Sequence, residues 1–250
     1  MIVREYGLIG YPLSHSFSQK YFTQKFHRDG INDAVFHAFP IPDIDYLPHL
    51  IEEHPLLKGF AITIPYKREV MQHLDGKTEA VEKMHACNCV CIRHSKLYGH
   101  NTDVVGFEQS FIRYLRPHHT KALILGTGGA SSAVAFVLDK LHIDYRYVSR
   151  YRDQDRQIFG YADINENIIG LYNVIINCTP LGTYPKVEEA PEIPYQLLSD
   201  KHYLFDLVYN PAKTKFLTLG EAQGAAIQNG YDMLILQAEE NWKLWNEESD

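Results

Sequence analysis

The 250-residue chain has no apolar run of the ~18 residues that a helix needs to cross a bilayer. Its opening, MIVREYGLIGYP, breaks a short apolar stretch with charge and so lacks the core of a secretory signal. A cytoplasmic protein with no membrane partner is expected. Basic residues are neither abundant nor clustered: the formal net charge is -7, and no Lys/Arg-rich block exists to displace counterions from nucleic acid. Nucleic acid is therefore excluded, and a small-molecule partner is expected. Cysteine is scarce. Three of the four, Cys87, Cys89 and Cys91, stand in CNCVC, a spacing that puts three thiols on one face of a strand. It lacks the CxxC knuckle that wraps tetrahedral zinc; His85 or His94 could add a ligand, but buried thiols in a reducing compartment account for the pattern better. No metal is expected. The chain also has no GxSxG elbow, which removes the α/β-hydrolase nucleophile, and neither an internal repeat nor a low-complexity tract.

What the sequence does contain is an alternation of strand and helix signals, which argues for parallel sheets with crossover helices. REYGLIG, AVFHAFPI and GFAITIP read as strands; FSQKYFTQKFHRDG, DIDYLPHLIEEH, YKREVMQHL and TEAVEKMHA read as helices; NCVCIRHSKLYGHN reads as a hairpin turning at His94-Ser95-Lys96. A second unit opens near residue 103 with the helix DVVGFEQSFIRYL, ended by Pro117, and the apolar strand KALILG. Then come the helix SSAVAFVLDKL and the strands DYRYVSR, YNVIINCTP, HYLFDLVYNP and GAAIQNG, with TKFLTLGEAQ helical before the last. The closing YDMLILQAEENWKLWNEE is a long helix. The fold class is α/β, with a substrate-binding domain over 1–102 joined by the C-terminal helix 232–250, a Rossmann-type dinucleotide-binding domain over 103–231, and a cleft between them for a small ligand. A monomer or a homodimer is expected.

LILGTGGAS places Gly126, Gly128 and Gly129 between an apolar strand and a helix. Backbone without Cβ atoms can approach a pyrophosphate, and the free N–H groups of the helix that follows offer it positive partial charge. Ser131 stands where the fingerprint often has its third glycine. About twenty residues on, NAD sites place an Asp or Glu for the ribose hydroxyls, whereas this chain has Ser149 and Arg150. A guanidinium matches a 2′-phosphate that a carboxylate would repel, so NADP is expected over NAD.

GYPLSHSFSQKYF crowds Ser14, His15, Ser16 and Ser18 ahead of an apolar-periodic helix. A Ser-His nucleophile fails because neighbouring side chains diverge; a helix cap and an anion pocket are compatible, since free N–H groups and the positive end of the dipole favour both. A hydride-transfer enzyme also needs a proton donor at the reacting carbonyl. In AITIPYK, Lys67 follows a strand that Pro65 cannot extend, and in YGHNTDVVG, Asn101, Thr102 and Asp103 sit at a strand-to-helix junction. Alone, each also reads as a solvated lysine or an N-cap.

The ordered set GYPLSHSFS, TIPYK, CNCV, GHNTDVVGF, GTGGAS, INCTPLG and NGYDMLILQA resembles the shikimate dehydrogenase family over nearly the whole chain. The resemblance implies NADP-dependent reduction of 3-dehydroshikimate to shikimate in aromatic amino-acid biosynthesis. By position it implies that Ser16 and Ser18 grip the substrate carboxylate, that Lys67 is the acid/base group and that Asp103 pairs with it. Thr63, Asn88, Tyr209 and Gln237 match the family's other substrate contacts. Gly126, Gly128, Gly129 and Ala130 match the phosphate turn, Ser149 and Arg150 the 2′-phosphate site, and Thr179, Gly230 and Met233 the surroundings of the nicotinamide. Departures from the family pattern are Ala61 for Asn, Gln19 for Pro, Cys89 for Thr and Asp232 for Gly; a carboxylate at 232 either acts on the nicotinamide or turns outward. A quinate/shikimate dehydrogenase using NAD and a non-catalytic NADPH-binding module remain alternatives.

Overall fold

Tyr6, Leu8 and Ile9 are all buried, so the first strand meets apolar material on both faces, as a central strand of a parallel sheet does. The computed structural model describes residues 3–13, 17–153, 155 and 158–247; Ser14, His15 and Ser16 lie outside the described residues. The chain divides into two compact units, Met1–Thr102 with Ala238–Asp250, and Asp103–Gln237. No helix among the described residues is long and apolar enough to cross a membrane.

The first unit contains β1 (Arg4–Ile9), α1 (Phe17–Arg28), β2 (Ala34–Phe39), α2 (Leu47–Glu53), β3 (Leu57–Ile62), β4 (Gly76–Lys77), α3 (Glu79–Met84), β5 (Cys89–Arg93) and β6 (Lys96–His100). Its sheet runs β2-β1-β3-β5-β6-β4. β1 pairs in parallel with β2 and β3, as the strand-helix alternation predicts, and β5 is antiparallel to both β3 and β6, so the sheet is mixed. The β5–β6 pair is the expected hairpin, turning at His94 and Ser95 with φ of 50° and 62°; such a left-handed pair joins antiparallel neighbours.

YKREVMQHL, expected as an α-helix, instead forms a 3-10 turn over Glu69–His73. The Lys67 carbonyl accepts from Cys87 N–H at 2.8 Å, and Met71 N–H turns to the Arg68 carbonyl at 3.1 Å. A distant donor has taken the acceptor that an α-turn would use. The unit has a mainly aliphatic core cluster that includes Ile9, Leu47, Leu50 and Ile62 and a second, aromatic one, where Phe22 stacks on Phe36 at 4.6 Å and Tyr6 on Trp245 at 5.2 Å between ring centroids. The Trp245 indole donates to the Val90 carbonyl at 3.0 Å.

The second unit contains α4 (Asp103–Phe111), β7 (Lys121–Leu125), α5 (Gly129–Lys140), β8 (Asp144–Ser149), β9 (Phe159–Gly160), α6 (Glu166–Leu171), β10 (Val174–Asn177), β11 (Tyr203–Asp206), α7 (Lys215–Glu221), β12 (Ala226–Gln228) and the first part of α8 (Tyr231–Asn246). Its strands run β12-β11-β10-β7-β8-β9, all parallel. This is the dinucleotide-binding order, whose ligand site lies past the carboxyl ends of the strands at the reversal between β7 and β10. Every residue of β10 and β11 is buried. The units part within α8 at Ala238 rather than at 232, because the first turns of α8 press on α4: a Cβ at Gly106 would meet the Met233 carbonyl at 2.5 Å and the Gln237 Cβ at 3.1 Å.

Candidate active site

In the first unit the site residues follow the carboxyl end of β3. Thr63 N–H donates to the Ile9 carbonyl at 2.9 Å, and the Thr63 carbonyl accepts from Tyr66 N–H at 3.1 Å. Pro65, joined to Ile64 by a cis bond, ends the ladder. Tyr66 is buried and its hydroxyl donates to the Ile41 carbonyl at 2.7 Å. Lys67 therefore extends from a turn fixed on both sides, by Tyr66 before it and by the Cys87 bond to its own carbonyl.

The Asn-Thr-Asp junction is held just as firmly. Thr102 N–H donates to Asn88 Oδ1 at 2.7 Å, Asn88 Nδ2 donates to Thr102 Oγ1 at 3.1 Å, and the Thr102 hydroxyl donates to Asn241 Oδ1 at 2.6 Å. Asn88 and Thr102 are buried, so this network fixes where α4 begins. Asp103 is the first residue of α4 and is half-buried. Ser18 stands in the first turn of α1 and is half-buried, while its proposed partner Ser16 lies outside the described residues. Gln237, on α8, is buried with its amide donating to the Leu234 carbonyl at 2.9 Å. Tyr209, after β11, is partly exposed.

In the second unit the glycine turn divides its labour. Gly126 has a φ of 102°, and its N–H donates to the Val148 carbonyl at 2.8 Å; a side chain there would be strained. A Cβ at Gly128 or Gly129 would meet nothing within 4 Å. Gly128 caps α5 without any side-chain bond, so the N-terminus of the helix, with half-buried Ala130 in its first turn, faces open space. These residues fit a dinucleotide pyrophosphate, which needs both that space and those N–H groups. Ser131 is buried with its hydroxyl donating to the Gly128 carbonyl at 2.6 Å. It braces the turn instead of filling the space.

Behind the turn, Ser149 ends β8 and its hydroxyl oxygen accepts from Tyr151 N–H at 3.3 Å. Arg150 is exposed and lines a cavity of about 610 Å³ with Tyr161, Leu181, Glu192 and Lys215. Thr179 follows β10: its N–H and hydroxyl donate to Asn177 Oδ1 at 3.0 and 2.6 Å, and its methyl would lie 3.0 Å from a Cβ at Gly126. Glycine is required at 230, where a Cβ would stand 2.1 Å from the Leu207 carbonyl oxygen. Met233 is buried on α8.

A buried network supports this region that sequence reasoning missed. Asn177 Nδ2 donates to Asp206 Oδ1 at 2.9 Å, Val208 N–H donates to the same oxygen at 3.0 Å, and the Thr214 hydroxyl donates to Asp206 Oδ2 at 2.5 Å. Burial pushes the Asp206 carboxyl up to about 6, while these three donors pull the other way. The visible signal was polar residues at the ends of otherwise apolar strands, Asn177 in VIIN and Asp206 in YLFD.

A family model described as the shikimate dehydrogenase substrate binding domain matches residues 8–90. The shikimate dehydrogenase (NADP(+)) of Clostridium beijerinckii is 35% identical, with 97% of this chain and 92% of that protein covered. The chain belongs to the shikimate dehydrogenase family. Among solved structures it is similar to the chorismate mutase/shikimate 5-dehydrogenase fusion protein from Clostridium acetobutylicum, at 31% identity and a TM-score of 0.87 over 100% of this chain and 93% of that one. The shikimate 5-dehydrogenase from Thermus thermophilus, solved with NADP(H) and shikimate, is 26% identical with a TM-score of 0.84 over 98% of this chain and 94% of that one.

Within the shikimate dehydrogenase family, the departures of this chain have separate structural accounts. Ala61 and Cys89 are directly paired across β3 and β5, and both are buried in the aromatic core. They fill apolar volume together. Gln19 is exposed in the first turn of α1. Asp232 forms an ion pair with Arg113, and both side chains are about half exposed, so its carboxylate is engaged at the surface.

Proposed function

We propose that the chain is a soluble cytoplasmic shikimate dehydrogenase, a monomer or homodimer, that interconverts 3-dehydroshikimate and shikimate with NADP(H). The observation that carries this reading is the open, uncapped N-terminus of α5 at Gly128 and Gly129, with Arg150 rather than a carboxylate after β8. When bound, NADPH supplies the hydride. Gly126, Gly128, Gly129 and Ala130 would hold its pyrophosphate, Ser149 and Arg150 its 2′-phosphate, and Thr179, Gly230 and Met233 would surround the nicotinamide.

The chain's own residues then do the rest. Ser16 and Ser18 grip the substrate carboxylate from the start of α1, where the helix dipole favours an anion. Thr63, Asn88, Tyr209 and Gln237 contact its remaining groups and fix the face of the ring. Lys67 gives a proton to the carbonyl oxygen as that oxygen becomes an alcohol, and takes it back in the oxidation. Asp103 orients the Lys67 ammonium and accepts from a neighbouring hydroxyl. The test is NADP reduction followed by absorbance with shikimate, then with quinate, and then with NAD in place of NADP. Turnover is expected with shikimate and NADP; none with any of these pairs would reject the reading.

A further inference from the structure

Glu5, His37 and His54 come from β1, β2 and the segment between α2 and β3, and nothing in the proposed reaction uses them. Their ligand atoms lie within 4.8 Å of one another, and this is the one such group of three among the described residues. His54 Nδ1 is 2.7 Å from Glu5 Oε2, and His37 Nε2 is 3.5 Å from the same oxygen. The strand geometry accounts for the meeting. Glu5 and Gly7 share a face of β1, and Gly7 is registered against His37. Having no side chain, Gly7 leaves its place to the Phe39 ring, which a Cβ there would strike at 2.3 Å. Phe39 in turn packs against the His37 ring at 5.5 Å and the His54 ring at 4.9 Å. One wall of the cluster is thus apolar and holds both imidazoles in place.

We infer that Glu5, His37 and His54 bind a divalent transition-metal ion, zinc in the first instance. Two imidazoles and a carboxylate form a ligand set that zinc takes with a water in the fourth position. Ligand atoms around a tetrahedral zinc stand roughly 3.3 Å apart, from bond lengths of about 2.0 Å. The His37 to Glu5 spacing matches that, and a small swing of the Glu5 carboxylate away from His54 opens the other. The side chains of His37 and His54 are 35% and 30% exposed and that of Glu5 is 19% exposed, so water and the ion can reach them. The metal would displace the hydrogen bond between His54 Nδ1 and Glu5 Oε2, and ligation requires both imidazoles neutral.

The position fixes the consequence. β1, β2 and β3 are parallel, Glu5 is next to the start of β1, and His54 precedes β3, whereas Thr63 and Lys67 follow its far end. A metal bound to this cluster ties three segments of the first unit together at the end of the strands away from the Lys67 turn. It stabilises the fold without entering the reaction.

The test uses the full chain stripped of metal, titrated with zinc chloride by calorimetry and followed by thermal unfolding. One zinc per chain and a raised Tm are expected for the wild type, with binding that weakens as pH falls. His37→Gln and His54→Gln, each checked for folding by circular dichroism, should weaken binding at least tenfold. Cobalt(II) in place of zinc should give a spectrum without thiolate charge-transfer bands. No stoichiometric binding to the wild type, binding that survives the double His37→Gln/His54→Gln variant, or thiolate bands with cobalt would each overturn the assignment.

Discussion

At the scale of single residues, the proposed roles can be tested one side chain at a time. Lys67 is held by the bond from Cys87 to its carbonyl, so Lys67→Ala removes the proposed proton donor and keeps that backbone bond. Turnover should fall by roughly a hundredfold or more with little change in KM for shikimate, the size expected for loss of general acid/base catalysis. Steady-state kinetics check this, and near-normal turnover would remove Lys67 from the mechanism. Arg150→Asp places a carboxylate where the 2′-phosphate would sit. The ratio of kcat/KM for NADP to that for NAD should drop roughly tenfold or more; an unchanged ratio would mean that Arg150 is only solvated. Asp206 gives a prediction in pH. Its folded value, about 6, lies above the unfolded reference of about 3.9, so the folded state binds the extra proton. Its contribution favours folding below the unfolded value and is lost as pH rises through the folded one. The full shift corresponds to about 3 kcal/mol. Asp206→Asn keeps an oxygen for Asn177 and Val208 but does not titrate. Denaturant unfolding at pH 4.5 and pH 7 should therefore show wild type losing stability relative to the variant as pH rises, whereas parallel curves would mean that the Asp206 carboxyl is not raised by its burial.

At the scale of elements, the strongest sequence signals were local. Gly126 needed only its neighbours to announce a turn, and VIIN and YLFD announced buried strands by composition alone, so the phosphate turn and the parallel sheet of the second unit were legible. What was not legible depended on partners far along the chain. The 3-10 turn at Glu69–His73 exists because Cys87 captures a carbonyl, and β4 and β9 are two-residue strands defined only by what they pair with. The Asn177, Asp206 and Thr214 network and the Glu5, His37 and His54 cluster each draw on three separate segments, which no spacing rule connects. The sequence raised two roles for Asp232, and its pairing with Arg113 supplied the outward one. α8 offers the test at this scale. Trp245 is buried and bonded to Val90, so Trp245→Ala should cost about 3 to 5 kcal/mol in equilibrium unfolding, by loss of buried volume. A loss below about 1 kcal/mol would mean that the tail of α8 is not part of the core.

At the scale of the whole molecule, the first unit is discontinuous: it takes Met1–Thr102 from one end of the chain and Ala238–Asp250 from the other. The consequence is for the order of folding. Residues up to Thr102 cannot close their own core, because Tyr6, Phe22 and Phe36 pack against Trp242 and Trp245 from far along the chain. The unbroken second unit, Asp103–Gln237, must therefore be spanned before the first unit is whole, and a long loop closure of that kind slows folding.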